Sequence, residues 1–447
     1  MTTPIISVSG LRGIVGQNLD PILVTRFVCS FAGQIDPGPI VVTRDGRATG
    51  SMLASAVCGA LSAVGRDVLY ADVAATPTTG ILVRQYQAAG GIQISASHNP
   101  AEYNGIKLFG REGRVINAVA GERVIKAYEA NQFDWVSHDQ IGRIDPVVDT
   151  TSEHLRLVLA TVDADRIRKR KFKVVLDSNH GAGSVLARTL FEHLGVDATL
   201  MGDKPDGLFD HPPEPTAANL AGVAKTAVDL GADVVFCQDP DADRLAIIDE
   251  LGNYIGEEYT LAITLNHRLA KQPGIVVINC ATSRMSMDIA LRHKSTCLTS
   301  AVGEANVTDM MIEKGAVYGG EGNGGPIDPR VGFVRDSFVA MAQVLDCMAE
   351  SGKTISQMVN DLPTYSICKT TIQIERQRIP ELLAALESAH DDANANHQDG
   401  LRLDWPDQWL LVRPSNTEPI VRAIAEAKDV EAAQKLCQLA ADAALQI

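Results

Sequence analysis

Apolar and polar positions along the chain alternate between two regimes: short apolar runs that end in small polar turns, and longer stretches where apolar residues recur every three to four positions. Three stretches repeat this alternation in the same order. They are PIVVTRDGRATGSMLASAVCGALSAVGRDVLYADV from Pro39, FKVVLDSNHGAGSVLARTLFEHLGVDATLMG from Phe172 and GIVVINCATSRMSMDIALRHKSTCLTSAVG from Gly274. Each reads as strand, turn, helix, strand, the spacing of crossover units in parallel or mixed sheets covered by helices. The repeats begin roughly 100 to 135 residues apart, which predicts three related α/β domains in tandem.

The last part of the chain breaks the pattern. There ICKTTIQI, an acidic and alanine-rich helical stretch, LRLDWPDQWLLVRPS and a helix from Asp429 predict an α+β module. The expected fold class is therefore α/β: three tandem domains with mixed sheets over residues 1–145, 146–250 and 251–362, then a C-terminal α+β domain over 363–447. A length of 447 residues suits several cores of ordinary size. The polar segment AHDDANANHQDG reads as an exposed loop, with no catalytic role for His390 or His397.

Composition narrows the function classes. Apolar content of 45% with 21% charged residues is that of a globular protein, and a formal charge of −15 opposes a nucleic-acid surface, since phosphate backbones repel an acidic body. No run of about 18 apolar residues occurs, and the opening MTTPIISVSGLRG has no basic segment followed by an apolar one, so no membrane association and a cytoplasmic location are expected. The eight cysteines are scattered without a C-x-x-C pair, mostly among apolar neighbours, and read as buried free thiols.

Four stretches carry candidate chemistry. The first, ISASHNPAEYNG at 94–105, follows the apolar strand from Gly90 to Ile94, and Pro100 suits the first position of a helix or turn, which puts Ser97 at a strand-to-helix junction. The second, QDPDADR at 238–244, ends the apolar run ADVVF. Its Asp239, Asp241 and Asp243 can turn hard oxygen ligands toward one point if the loop curls, a set suited to Mg²⁺.

The third, YGGEGNGGPID at 318–328, satisfies G-x-G-x-x-G formally, but Pro326 and Pro329 stand where a dinucleotide fold would start a helix. It reads instead as a turn presenting Glu321 and Asn323 to a polyol. The fourth, VRPSNTEPIVR at 412–422, offers Arg413 for two parallel hydrogen bonds to a phosphate, with Ser415, Asn416, Thr417 and backbone N–H groups as further donors.

Taken in this order, ISASHNP, DPDADR, GGEGNGG and RPSNTEP resemble the α-D-phosphohexomutases, and the resemblance runs from Arg12 to Arg422. It implies four domains around a central cleft, each giving one loop. It implies that Ser97 is a phosphoserine that gives a phosphoryl group to one sugar oxygen and recovers one from another, with His98 and Asn99 as its support. Adjacent residues in an extended segment point to opposite sides, so Ser97 and His98 are not expected to act as a nucleophile and base pair.

The resemblance further implies one Mg²⁺ per chain, held by Asp239, Asp241, Asp243 and a phosphoserine oxygen, with Arg244 alongside. Lys107 in EYNGIKLF matches a general acid/base, a role that calls for a depressed pKa, and Arg12 in SGLRG matches a residue beside the phosphoserine. Glu321 and Asn323 would hold sugar hydroxyls, the AVGEANV loop with Gly303 and Glu304 would contribute to sugar choice, and Arg413, Ser415, Asn416 and Thr417 would hold the phosphate that is not transferred. A hexose 1,6-bisphosphate would be both intermediate and activator, the partner a small-molecule sugar phosphate, and the assembly a monomer or dimer.

The chain departs from the family in one loop. Where many members read GExSGH, this chain reads GEGNGG, with Asn323 in place of serine and Gly325 in place of histidine. The SGLRGIVG, AVGEANV and GEGNGG forms together are most similar to archaeal-type and related phosphoglucosamine mutases. They imply interconversion of glucosamine 6-phosphate and glucosamine 1-phosphate, with a phosphomannomutase/phosphoglucomutase as the alternative. A Mg²⁺-dependent sugar-phosphate phosphatase is a more remote one, since its usual aspartyl nucleophile needs no phosphate nest at the far end of the chain.

Overall fold

Each repeat places its apolar runs side by side as parallel strands. Ile40–Arg44 pairs with Val68–Val73, Lys173–Asp177 with Asp197–Met201, and Ile275–Asn279 with Thr296–Ser300, all in parallel. The crossovers are the helices Gly50–Ala63, Gly183–Leu194 and Met285–Arg292. The computed structural model describes residues 4–8, 10–415 and 420–447.

The three sheets are mixed. The first orders its seven strands as Ile5–Ser7, Gly10–Ile14, Tyr103–Gly110, Gly90–Ile94, Ile40–Arg44, Val68–Val73 and Ile144–Pro146, so the boundary expected at residue 145 falls inside its last strand. The second runs Leu245–Ile248, Val234–Gln238, Lys173–Asp177, Asp197–Met201, and the third Thr296–Ser300, Ile275–Asn279, Tyr318–Glu321, Gly325–Ile327. The fourth sheet has five antiparallel strands, Ser366–Gln373, Ile420–Ala427, Trp409–Pro414, Leu401–Asp404 and Asn394–Asn396, with the helices Ile379–Ala389 and Val430–Gln446.

One topological detail positions the site. In each repeat a strand that lies parallel to the crossover strands turns back into an antiparallel partner: Gly90–Ile94 into Tyr103–Gly110, Val234–Gln238 into Leu245–Ile248, and Tyr318–Glu321 into Gly325–Ile327. The connecting segments are the serine, aspartate and glycine-rich stretches. In the fourth sheet VRPSNTEPIVR likewise spans the connection from Trp409–Pro414 to its antiparallel neighbour Ile420–Ala427. Ligands of open α/β sheets bind beyond the carboxyl ends of parallel strands, where these loops lie.

The strands are apolar on both faces because helices cover both: Ile40, Val41 and Val42 are fully buried, as are Val234, Val235 and Phe236. The second and third sheets share one core, joined by the helix Ser337–Ser351, whose Phe338, Met341 and Leu345 pack with Leu176, Phe236 and Ile278. Asp336 caps that helix by accepting from the N–H groups of Phe338 and Val339. The C-terminal module has a core of its own around Leu382, Leu410, Val421 and Leu436. Cys29, Cys58, Cys237, Cys280 and Cys437 are buried free thiols, and no helix among the described residues is long and apolar enough to cross a membrane.

Candidate active site

Ser97 lies in the turn between two antiparallel strands, not at the strand-to-helix junction expected from Pro100, because Tyr103 continues directly into a strand. Its backbone is left-handed, with φ +52°, a conformation that costs a non-glycine residue roughly 1–2 kcal/mol. The turn is held by Arg47, which is 1% exposed. Arg47 Nη2 donates to the carbonyls of Ser97 at 2.6 Å and Asn99 at 2.5 Å, and Nη1 to those of Pro100 at 2.6 Å and Tyr103 at 3.1 Å. Ser97 N–H donates to Ser95 Oγ at 2.8 Å, and Ser95 Oγ donates to Asp45 at 2.7 Å.

Because the segment turns and is not extended, Ser97 and His98 do not point apart: Ser97 Oγ lies 3.4 Å from His98 Nδ1. Burial, with the charges of Arg244 and Arg12 added, pushes the His98 imidazolium down to about 3. His98 is therefore neutral at physiological pH. Asn99 meets Arg47 through its carbonyl and so supports the turn through its backbone.

The aspartate loop does curl. Asp239, Asp241 and Asp243 are fully buried, with one oxygen of each within 4.8 Å of the others, and the turn between them uses a left-handed Ala242 at φ +56°. Ser97 Oγ donates to Asp239 Oδ2 at 2.9 Å. Asp241 Oδ2 accepts from Thr76 Oγ1 and Lys107 Nζ, both at 2.5 Å, while Asp243 Oδ2 accepts from Arg335 Nη2 at 2.7 Å and Lys107 Nζ at 3.1 Å. The other oxygens, Asp241 Oδ1 and Asp243 Oδ1, are buried without a hydrogen-bond partner among the described residues. Three hard carboxylates with two unsatisfied oxygens fit a small divalent cation.

Electrostatics divides the triad. Burial, together with Asp243 and Asp241, pushes the Asp239 carboxyl well up, whereas Lys107 holds Asp241 down against burial, and Arg335 and Lys107 do the same for Asp243. For Lys107 burial pushes the ammonium down, but Asp241 and Asp243 outweigh burial and hold it above the ordinary lysine range, opposite to the depression a general acid/base calls for. Arg12, on the strand Gly10–Ile14, is lowered by burial and by Arg244 and Arg47. Arg244 donates its backbone N–H to Asp239 Oδ1 at 3.1 Å, and its Nε stands 3.8 Å from Asp243 Oδ1.

A second group of charges is built on Arg335. Its guanidinium donates to Glu304 Oε2 at 2.8 Å, Glu321 Oε2 at 2.7 Å and Asp243 Oδ2 at 2.7 Å. Glu321 Oε1 also accepts from Asn279 Nδ2 at 2.7 Å and from the Gly303 N–H at 3.1 Å. Glu304 Oε1 and Asn323 Oδ1 are buried and have no hydrogen-bond partner among the described residues.

Ser97, His98, Lys107, Arg12, Arg244, Gly303, Glu304, Glu321, Asn323 and Arg335 line one cavity of about 390 Å³, and the aspartates lie behind Ser97 and Lys107. Arg413 and Ser415 are not on its wall. Arg413 Nε sits 3.0 Å from Asp399 Oδ2, which accepts from the Val302 N–H at 3.1 Å, so the polar stretch expected to be an exposed loop carries a half-buried carboxylate that joins the C-terminal module to the Glu304 loop. The Ser415 N–H donates to the Ile420 carbonyl at 3.0 Å. Asn416 and Thr417 lie outside the described residues.

Four consecutive domain families described as phosphoglucomutase/phosphomannomutase match the chain: alpha/beta/alpha domains I, II and III over residues 4–135, 152–252 and 257–365, and the C-terminal domain over 374–443. A phosphoglucomutase/phosphomannomutase of Thermococcus kodakarensis is 33% identical over 439 residues, 96% of each chain. The chain belongs to this family. As a phosphohexomutase it is an isomerase that moves phosphate within a sugar phosphate.

A probable phosphoglucosamine mutase of Methanopyrus kandleri is 31% identical over 96% of this chain and 95% of its own. A crystal structure of a phosphoglucomutase/phosphomannomutase family protein from Burkholderia thailandensis superposes with a TM-score of 0.86 at 25% identity, covering 99% of this chain and 97% of that one. Two arginines of this phosphohexomutase escape a reading by sequence stretch. Arg47, in TRDGR, and Arg335, in GFVRDSF, lie outside the four stretches that carry candidate chemistry, and only the fold shows that one clamps the serine turn and the other bridges the carboxylates. The one available signal for Arg335 is its place directly before the helix cap Asp336 in the domain that carries the glycine-rich loop.

Proposed function

We propose that this phosphohexomutase interconverts glucosamine 6-phosphate and glucosamine 1-phosphate through Ser97. In the proposed cycle Ser97 Oγ carries a phosphoryl group, passes it to the free hydroxyl of the bound sugar monophosphate, and takes back the other phosphoryl from the resulting 1,6-bisphosphate after the sugar reorients. Phosphoserine carries about −1.5 to −2 charges, so both phosphates need cations nearby. Asp239, Asp241 and Asp243 would hold Mg²⁺ with a Ser97 phosphoryl oxygen, and the ion would neutralise charge on the transferring group.

The chain's own residues account for the rest. Arg12 and Arg244, on the cavity wall beside Ser97, offset the phosphoryl charge. Lys107, in hydrogen-bond contact with Asp241 and Asp243, would take the proton of the attacking sugar hydroxyl in the first transfer and give it to the sugar oxygen from which the phosphoryl departs in the second. It must therefore enter the cycle as the free amine and not as the ammonium those carboxylates favour. His98, neutral, packs by Ser97 without acting as its base. Arg413 and Ser415, with Asn416 and Thr417, would grip the phosphate that stays on the sugar, which requires Arg413 to leave Asp399 and the C-terminal module to close on the cavity.

The amino sugar is favoured by one observation: two carboxylates, Glu304 and Glu321, converge on the sugar side of the cavity, where an ammonium at C2 would be stabilised. The second reading, a phosphomannomutase/phosphoglucomutase, is favoured by Arg335, which already offsets part of that negative charge and suits neutral hydroxyls. The test is kcat/KM for glucosamine, glucose and mannose 1-phosphates with Mg²⁺ and the matching bisphosphates. A lead of about a hundredfold for the amino sugar, ~2.7 kcal/mol, supports the first reading. Parity or a lead for glucose or mannose supports the second.

A further inference from the structure

Arg335 stands where it does because the glycine-rich loop leaves room for it. A Cβ built on Gly325 would lie 2.4 Å from Arg335 Cδ, 2.8 Å from Cγ and 3.0 Å from Cβ, so only a residue without a side chain lets the arginine stem cross the loop. Gly325 occupies the position at which the family resemblance sets a histidine, and the arginine stem fills that space. The guanidinium then reaches three carboxylates on three different segments: Asp243 behind the serine, Glu304 at the start of the helix Glu304–Lys314, and Glu321 at the end of the strand Tyr318–Glu321.

The three contacts leave the two sugar-side carboxylates unequal. Glu321 receives Arg335 on one oxygen and Asn279 and Gly303 on the other. Glu304, a residue of the cavity wall, receives Arg335 on Oε2 only, and its Oε1 is buried without a hydrogen-bond partner among the described residues. A buried acceptor left open is destabilising, and a donor on the ligand relieves it.

The geometry points to Arg335 as the positioning residue for sugar recognition: it locks Glu321 into the scaffold and holds Glu304 on the cavity wall with Oε1 uncommitted, as the acceptor left to read the C2 substituent. The inference rests on the site reading given above, though not on which sugar wins. Arginine is required and lysine insufficient, because a single ammonium cannot span three carboxylates that a planar fork reaches along separate N–H directions.

The experiment is kcat/KM for the three hexose 1-phosphates in the full-length enzyme, comparing wild type, Arg335→Lys and Glu304→Gln, each checked by thermal melting. Loss of a merely structural residue lowers all three sugars alike and leaves their ratios unchanged. Arg335→Lys is expected to compress the ratio between the preferred sugar and the next by about tenfold, mainly through KM, and Glu304→Gln to compress the same ratio although Arg335 is intact. Ratios within twofold of wild type in both variants overturn the proposal, and if Arg335→Lys does not fold, an unchanged ratio in Glu304→Gln does so alone. A wild type that prefers glucose or mannose overturns the amino-sugar reading and leaves this test in force.

Discussion

Ser97 Oγ donates a 2.9 Å hydrogen bond to Asp239 Oδ2 although 142 positions separate the two residues. The bond joins the hairpin turn of the first sheet to the corresponding turn of the second, and sets the hydroxyl directly on the carboxylate triad. Asp239→Asn keeps the side-chain shape and removes one of three charges facing a cation. The free Mg²⁺ needed for half-maximal activity is expected to rise at least about tenfold, equivalent to ~1.4 kcal/mol of binding, as read from activity against free Mg²⁺.

Removing divalent cations should silence turnover and lower stability together. Asp241 Oδ1 and Asp243 Oδ1 are buried without hydrogen bonds among the described residues, and an ion that binds only the folded protein stabilises it by ~2.7 kcal/mol at 100 times its Kd. Chelation should therefore lower the melting temperature, and Mg²⁺ or Mn²⁺ should restore both melting and activity. Equal melting curves with and without Mg²⁺ would count against the cation site.

Gly324 should tolerate no side chain. Its φ is +81°, a Cβ would sit 2.3 Å from the Leu245 carbonyl oxygen, and its own carbonyl accepts from the Leu245 N–H at 2.9 Å, docking the glycine-rich loop on the second sheet. Gly324→Ala is expected to cost about 1–3 kcal/mol of stability, measured by denaturant unfolding, and to raise KM for the sugar phosphate.

Stability should carry a histidine signature. Burial opposes protonation of His211, but its 2.8 Å hydrogen bond to Asp177 and that residue's charge outweigh burial and raise it. A raised folded-state pKa means the contribution is complete below the unfolded value of about 6.5 and is lost as pH climbs through the folded value. The difference in unfolding free energy between wild type and His211→Asn should shrink from about pH 6 to pH 8. The same loop places Phe209 against Arg47, at 5.1 Å, so its loosening should slow turnover as well.

Arg413→Met is expected to raise KM for hexose phosphates by about tenfold or more, the worth of a charge-assisted hydrogen bond pair, with a smaller effect on kcat. Kinetics at saturating and limiting substrate separate the two.

Much of this architecture was legible because it repeats. Three strand–helix–strand stretches announced three α/β domains with mixed sheets, and stretches rich in Asp, Gly or Ser marked turns where chemistry could gather. What stayed hidden depends on contacts between distant single residues. Nothing around Arg47 in sequence sets it apart from a surface arginine, Arg335 is marked only by its place before the helix cap Asp336, and the direction of the Lys107 shift turned on Asp241 and Asp243, which lie over 130 positions away. The Ser97 turn was misplaced because Pro100 serves turns and helix starts equally well, and only the strand pairing of Tyr103–Gly110 decides between them.

The most direct test of the account is to incubate the enzyme with a hexose 1,6-bisphosphate and map phosphate by mass spectrometry of its peptides. One phosphoryl group on Ser97, discharged on adding a hexose monophosphate and missing in an inactive Ser97→Ala variant, is the predicted result. An unmodified Ser97 in turning-over enzyme, or near wild-type turnover by Ser97→Ala, would contradict it.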